Sequence, residues 1–364
     1  MLQSFNTDSN GVTGPTFTLT DANVDGLGRL TDANETITET DGNSVAHIST
    51  YQYDMLSQLT DANISNINSA NWLAQYGYQK NGSINMKLEQ GEQTDLSYYG
   101  HLVTGDNDGN SVGWDLNGRQ VTPFSDDPVN YFLEYDWDGR LREGQYGSSS
   151  QTMQAVYDPE GVRIAKIRNW NQNDYHHKYV VDSTGELPAI LLVLDANNSD
   201  AIVKTNIFAN DQIIAQHDGN DSNDLYFYMH DRLGSIRQVI DIDANIANYY
   251  TYDPWGLVFE TDSNEIFFNH YRFAGYIWDD EISQYFCNAR QYDPITARFT
   301  SRDPINGDFK EPMTLHKYLY GGNDPINNVD PKGETGTLVG NLGAISIGAT
   351  VTGMVIVAER AGLL

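Results

Sequence analysis

Short apolar runs separated by clusters of Asp, Asn and Gly set the rhythm of this chain. Between residues 15 and 145, runs of Tyr, Val, Ile, Leu and Thr alternate with such clusters. Asp and Asn hydrogen-bond their own backbone and tolerate left-handed geometry, so the clusters read as turns. Thr-Asp-Ala-Asn recurs at 20–23, 31–34 and 60–63, and Asp-Ala-Asn at 195–197 and 243–245, and all of these are read as turns. Short strands with this punctuation predict an antiparallel all-β array. Between 175 and 260 the predicted strands lengthen: 179–181, 189–194, 205–208, 212–216, 225–229 and 237–241. None of these runs is long enough to argue for a helix.

A repeat unit is visible inside the rhythm. Tyr53-Asp-Met-Leu-Ser-Gln-Leu59 and Tyr135-Asp-Trp-Asp-Gly-Arg-Leu141 share a Tyr-Asp start and a Leu six positions after the Tyr. Tyr157-Asp-Pro-Glu-Gly161 is a third copy, and degenerate copies begin at Asp25, Tyr78, Trp114, His230 and Tyr252. The unit describes a hairpin. The aromatic ring packs on the inner sheet face, Asp opens the turn, and Gly supplies positive φ. One hairpin cannot bury its own face, so neighbouring copies must stack.

The character changes near the end. No charged residue occurs from Gly336 to Ala358, a run long enough to cross a hydrocarbon core of ~30 Å as a helix. It is read either as a membrane segment or as the glycine-rich start of a further C-terminal region. Residues 1–10 hold neither a basic region nor an apolar run, so no signal peptide is expected in this chain.

Composition narrows the function. Among 364 residues there are 23 Tyr and 6 Trp, which suits half-buried pleated surfaces. A net charge of −29 repels phosphates, so nucleic-acid binding is not expected of these residues. Cys287 is the single cysteine and is read as structural. Asp106-Asn-Asp-Gly109 and the acidic stretch 218–224 are oxygen-rich but lack the spacing of a calcium loop, so they read as solvated hairpin loops. The pair His176-His177 points to opposite faces of a strand and finds no ligand partners at zinc spacing. No phosphate loop, nucleotide fingerprint or nucleophile elbow is present, so no cofactor, no metal and no activity on an external substrate are expected.

Residues 245–333 carry the most specific signal. Arg272-Phe-Ala-Gly-Tyr-Ile-Trp-Asp-Asp-Glu281 leads to Tyr285-Phe-Cys-Asn-Ala-Arg290-Gln-Tyr-Asp-Pro294, then Arg298-Phe-Thr-Ser-Arg-Asp-Pro304, and finally Asn323-Asp-Pro-Ile-Asn-Asn-Val-Asp-Pro-Lys-Gly333. Together with the upstream hairpins, this run resembles the core segment of Rhs/YD-repeat proteins. That family includes bacterial polymorphic toxins, the C subunits of insecticidal toxin complexes, and animal teneurins.

The resemblance implies a fold, a division of the chain and a chemistry. The fold would be all-β, a YD-hairpin array curling into a partial shell and closed by an inward-rolled plug. The hairpins would occupy 1–244, the core or plug 245–333, and the apolar tail 334–364, with room for a C-terminal helix. The chain would enclose or present its own C-terminal effector segment and would act with secretion-system or cell-surface proteins outside the cell. Its one enzymatic activity would be self-cleavage of the aspartyl type, carried by Arg290, Asp303 and Asp330, with the cut near Gly333, Glu334 and Thr335. Two adjacent carboxylates hold one proton between them at neutral pH, so one can activate water while the other polarises a carbonyl.

Two positions depart from the family pattern. Glu334 stands where a hydrophobic residue usually follows the motif, and Ala297 stands where Gly is common. Ala is expected to cost little at 297 if the backbone there is not left-handed. A cell-surface scaffold without catalysis, and an inactive truncated relic, are the alternative readings.

Overall fold

In the computed structural model, the described residues are 2–6, 13–38, 44–67, 70–125, 131–145, 152–169, 174–219, 224–243, 245–259, 263–334 and 339–340. Among them the fold is antiparallel β with short 3-10 turns and no α-helix. Eleven strands, from Leu2–Asn6 to Gln120–Ser125, form one sheet in strict sequence order. Twelve more, from Phe132–Tyr135 to Asn264–Glu265, form a second sheet in the same meander. The core then adds four short strands, Ile277–Asp279, Gln284–Cys287, Arg290–Asp293 and Arg298–Phe299. Asn328–Val329 pairs with Val339–Gly340.

The strands follow the period-2 rule. In Ala70–Tyr78, Trp72, Ala74 and Tyr76 are buried while Leu73 between them is exposed. One hydrophobic cluster joins Leu30, Leu59, Trp72 and Ile84 of the first sheet to Ile213, Tyr228 and Val239 of the second. Through Trp255, Tyr285, Tyr292 and Phe299 the same cluster runs into the core.

The repeat unit has a mechanical explanation. Asp25 Oδ1 accepts the amide hydrogens of Leu27 and Arg29 at 2.8 and 3.0 Å, and Gly28 takes φ +83°. Asp115 and Asp136 close their turns in the same way. Ser57 carries the positive φ in the Asp54 turn. Where the residue four after the Asp is Arg, it links one hairpin to the next. Arg29, Arg119 and Arg140 each pair with their own turn Asp and stack on Tyr53, Tyr135 and Tyr157 of the following unit, 4.7, 5.2 and 5.3 Å from the ring centres. Tyr53 and Tyr157 donate back to the carbonyls of Leu30 and Leu141 at 2.7 and 2.9 Å.

One expectation is corrected. Thr-Asp-Ala-Asn at 20–23, 31–34 and 60–63 lies inside the strands Thr13–Val24, Leu30–Thr38 and Leu59–Ile67, not in turns. Ala33 and Ala62 are buried against the core, and the flanking polar groups bond across strands, as Gln75 Nε2 does to Asp61 Oδ1 at 2.9 Å. Local turn chemistry is overridden here by the ladder and by burial of the Ala.

The core lies along one rim of the array. In a meander every second connection falls on the same rim, and the first sheet's turns at 25–29, 54–58, 79–83 and 115–119 do so. Asn327 bonds Leu30 N and Tyr53 Oη, Asn323 and Arg298 bond Gly82 O, and Tyr318 bonds Gly118 O. Toward the second sheet, Asp279 accepts from Arg163 and Lys166 at 2.7 and 2.9 Å, and Ala274 N donates to Ser235 Oγ.

Candidate functional site

The core brings together the three residues singled out from the sequence. Arg290 opens its strand, Asp303 follows the next one, and Asp330 follows Asn328–Val329. A single nitrogen of Arg290, Nη2, lies 3.0 Å from Asp303 Oδ2 and 3.2 Å from Asp330 Oδ2. All three side chains are buried. The guanidinium is fixed from several sides: its centre sits 3.6 Å over the Phe299 ring, and Nη1 donates to Lys317 O at 3.1 Å. Asp303 Oδ1 accepts from Ile305 N at 2.7 Å, and Tyr276 Oη accepts the amide hydrogen of Asp330 at 3.0 Å.

Residues 330–334 form a tight turn against the Cys287–Arg290 hairpin. Gly333 N donates to Asp330 O at 3.1 Å, Asn288 Nδ2 to Pro331 O at 2.7 Å, and Ala289 N to Lys332 O at 3.1 Å. The Gly333–Glu334 peptide bond is then contacted on both of its polar atoms. Arg290 Nε donates to the Gly333 carbonyl oxygen. Asp330 Oδ1 accepts from the Glu334 amide nitrogen at 2.9 Å. A cation on a carbonyl oxygen can stabilise charge that develops there, and a carboxyl beside an amide nitrogen can serve as a proton donor only in its acid form. Burial pushes the Asp330 carboxyl up to about 6, against the pull of Arg290. Thr335 lies outside the described residues, as does the 336–358 run apart from the short strand Val339–Gly340.

Other candidates resolve differently. Cys287 is fully buried, and burial pushes its thiol well up, away from the reactive thiolate. Asp106 spends both oxygens on its own turn, bonding Asp108 N, Asn110 N and Asn110 Nδ2. Among the described residues no group of three His, Cys, Asp or Glu could hold a metal ion, and no helix is long and apolar enough to cross a membrane. Ser83 Oγ meets His316 Nε2 at 3.1 Å, but His316 Nδ1 accepts from Tyr318 N at 3.2 Å. Nε2 therefore carries the hydrogen, so His316 cannot take a proton from Ser83 there.

Sequence reasoning missed the supports of the site. Asn288, in left-handed geometry at φ 59°, had the signal of an Asn next to a strand end. Tyr276, Phe299 and the Lys317 carbonyl had none, because their roles arise from tertiary placement. The expectation for Ala297 changes as well: its φ is +58° in a fully buried position, so the substitution of Gly does carry strain.

Comparison with known proteins bears on the fold and the family. The teneurin YD-shell family model matches residues 16–326, which includes Arg290 and Asp303 and stops before Asp330. The chain is 30% identical over 234 residues to the tRNA3(Ser)-specific nuclease WapA of Bacillus spizizenii, covering 64% of this chain and 9% of that protein. It is 32% identical over 114 residues to Salivary gland surface protein 1 of Aedes aegypti, covering 31% of this chain and 3% of that protein. Among solved structures, the TcdB2-TccC3-Cdc42 crystal structure aligns with a TM-score of 0.67 at 16% identity, over 90% of this chain and 17% of that one. A Photorhabdus luminescens Tc holotoxin pore aligns with a TM-score of 0.61 at 14% identity, over 95% of this chain and 19% of that one. At such identities the structural likeness speaks for the fold. With most of its length matched by the family model, the chain belongs to the teneurin YD-shell family.

Proposed function

We propose that this chain is the C-terminal wall and plug of a YD shell that encloses an effector encoded after it, and that it cuts itself between Gly333 and Glu334. Residues 1–244 serve as wall, 245–333 as plug and protease, and 334–364 as the start of the released part. A relative named as a tRNA-specific nuclease and a structural neighbour named as a toxin pore support delivery of a toxic cargo outside the producing cell.

The observation that carries the cleavage reading is the double contact on one peptide bond, Arg290 on the Gly333 oxygen and Asp330 on the Glu334 nitrogen. One water is consumed. Its oxygen bonds to the Gly333 carbonyl carbon while the Asp303 carboxylate takes its proton. Arg290 stabilises the charge that develops on the carbonyl oxygen. The C–N bond breaks as Asp330 in its acid form gives its proton to the Glu334 nitrogen. The new Gly333 carboxylic acid then protonates that amine, leaving a Gly333 carboxylate and a Glu334 ammonium, and Asp303 returns the water's proton to Asp330.

Intact mass of the purified chain beside an Asp330→Asn variant tests the reading. A cut after Gly333 that the variant lacks is the expected result. An uncut wild-type chain refutes the protease and leaves a plug without chemistry.

A further inference from the structure

One position departs from the repeat. Tyr53, Tyr78, Tyr157 and Tyr252 each donate a hydroxyl to a carbonyl of the preceding hairpin, those of Leu30, Leu59, Leu141 and Ile236. His230 holds the same place in its unit and is turned toward the preceding hairpin at Ile213, but with a smaller ring. Beside it lies a cavity of about 150 Å³. Phe208, Ile213, Tyr271, Ile277 and Phe286 make its walls apolar, and Phe208 meets Tyr271 edge to face with ring centres 6.0 Å apart. A dry apolar cavity of about this size holds one benzene ring, and aromatic walls suit an aromatic guest. His230 is 1% exposed, and burial holds its ring down to about 4, so it is neutral at physiological pH. A neutral imidazole has one N–H and one acceptor nitrogen, and the Ile213 carbonyl draws the N–H. Neither ring nitrogen meets a partner at full hydrogen-bond geometry among the described residues, so the acceptor nitrogen lacks a donor. Among the exposed wall residues Glu186 and Asp211 outnumber the half-buried Lys332, which disfavours an anion.

We propose that this cavity binds a small uncharged aromatic molecule carrying one O–H or N–H donor, with the donor bonded to the acceptor nitrogen of His230. The guest supplies the hydroxyl that Tyr brings at the matching position of other units. The site does not depend on the cleavage reading, but it shares walls with the 330–334 turn. Tyr276, Asn288 and Pro331 line it. Tyr276 Oη accepts from Asp330 N at 3.0 Å, and Asn288 Nδ2 donates to Pro331 O at 2.7 Å. A bound ring therefore rests against the groups that hold the turn and slows its opening.

Calorimetric titration of phenol, toluene and benzoate into the full chain carrying Asp330→Asn tests this, in a background where the result does not turn on self-cleavage. Phenol should bind one to one. Toluene, equal in size but without the donor, should bind about fivefold more weakly, the worth of one hydrogen bond. Benzoate should not bind. Adding His230→Tyr should leave the chain folded, because Tyr is the repeat's own residue at this place, and should abolish phenol binding by filling the cavity. Amide hydrogen exchange across 330–334 should slow about tenfold at phenol ten times above its dissociation constant. Absence of saturation by about 10 mM phenol, an affinity too weak for a built site, overturns the inference. So does toluene that binds as tightly as phenol, or phenol that binds the His230→Tyr chain equally well. Exchange that stays unchanged at saturating phenol puts the guest elsewhere and overturns it too.

Discussion

A Cβ placed on Gly333 would stand 2.3 Å from the carbonyl oxygen of Cys287. Neither atom can retreat, because Cys287 belongs to a buried strand and Gly333 is held by Arg290. The φ of Gly333, +68°, is also one that side chains resist. Gly333→Ala should therefore dislodge the 330–334 turn and abolish self-cleavage, at a cost of about 1–2 kcal/mol of stability. Intact mass and a denaturant melt read the two effects separately; a chain that still cuts would show that the turn is not the reactive conformation.

Cleavage should depend on pH through Asp330. Its carboxyl is pushed up by burial to about 6, and the acid form is the one able to protonate the leaving nitrogen. Above that value the acid form falls about tenfold per pH unit, so the rate of cutting should fall by roughly that factor between pH 7 and pH 8. A rate that stays level over this interval would take the acid role away from Asp330 and make it the base.

Stability should decline as pH rises toward 8. Burial, reinforced by Glu89, pushes Asp253 up to about 7, and burial pushes Asp324 up to about 6. Carboxyls whose folded values lie above their unfolded ones make the folded state bind more protons. Their contribution is fully present below about pH 4 and is lost as pH rises through 6 and 7. Asp253→Asn keeps an acceptor for the Trp255 and Leu257 amides but removes the titration. Its melting temperature should exceed wild type at pH 8, with the difference shrinking as pH falls and gone below about pH 4.

Ala297→Gly should stabilise the protein by about 1 kcal/mol, because Ala297 is held at φ +58°. Equal denaturant midpoints for the two chains would mean that the surrounding core, where Ala297 is fully buried, absorbs the strain.

The hairpins were legible because their causes are local: an Asp that caps two amides and a Gly at positive φ sit within five residues. The Thr-Asp-Ala-Asn segments misled for the same reason. Their residue types favour turns, but Ala33 and Ala62 face the core and the ladder holds them straight. The meeting of Arg290 with Asp303 and Asp330 could be expected only from family resemblance, since no spacing rule joins residues forty positions apart across irregular chain. The Arg that follows three of the turns, at 29, 119 and 140, was plain in the sequence, yet its bridge to the next Tyr needed the stacked geometry.

The rim contacts also bear on the order of events during synthesis. Lys87 donates to Ile295 O, and Arg298 to Gly82 O, across separations of 208 and 216 residues. Chains are made from the N-terminus onward, so the early hairpins must wait for partners that emerge last. The peptide bond read as scissile lies beyond every one of those late partners. A cut there would report that assembly has finished, and a chain stalled or misfolded upstream would keep its tail attached.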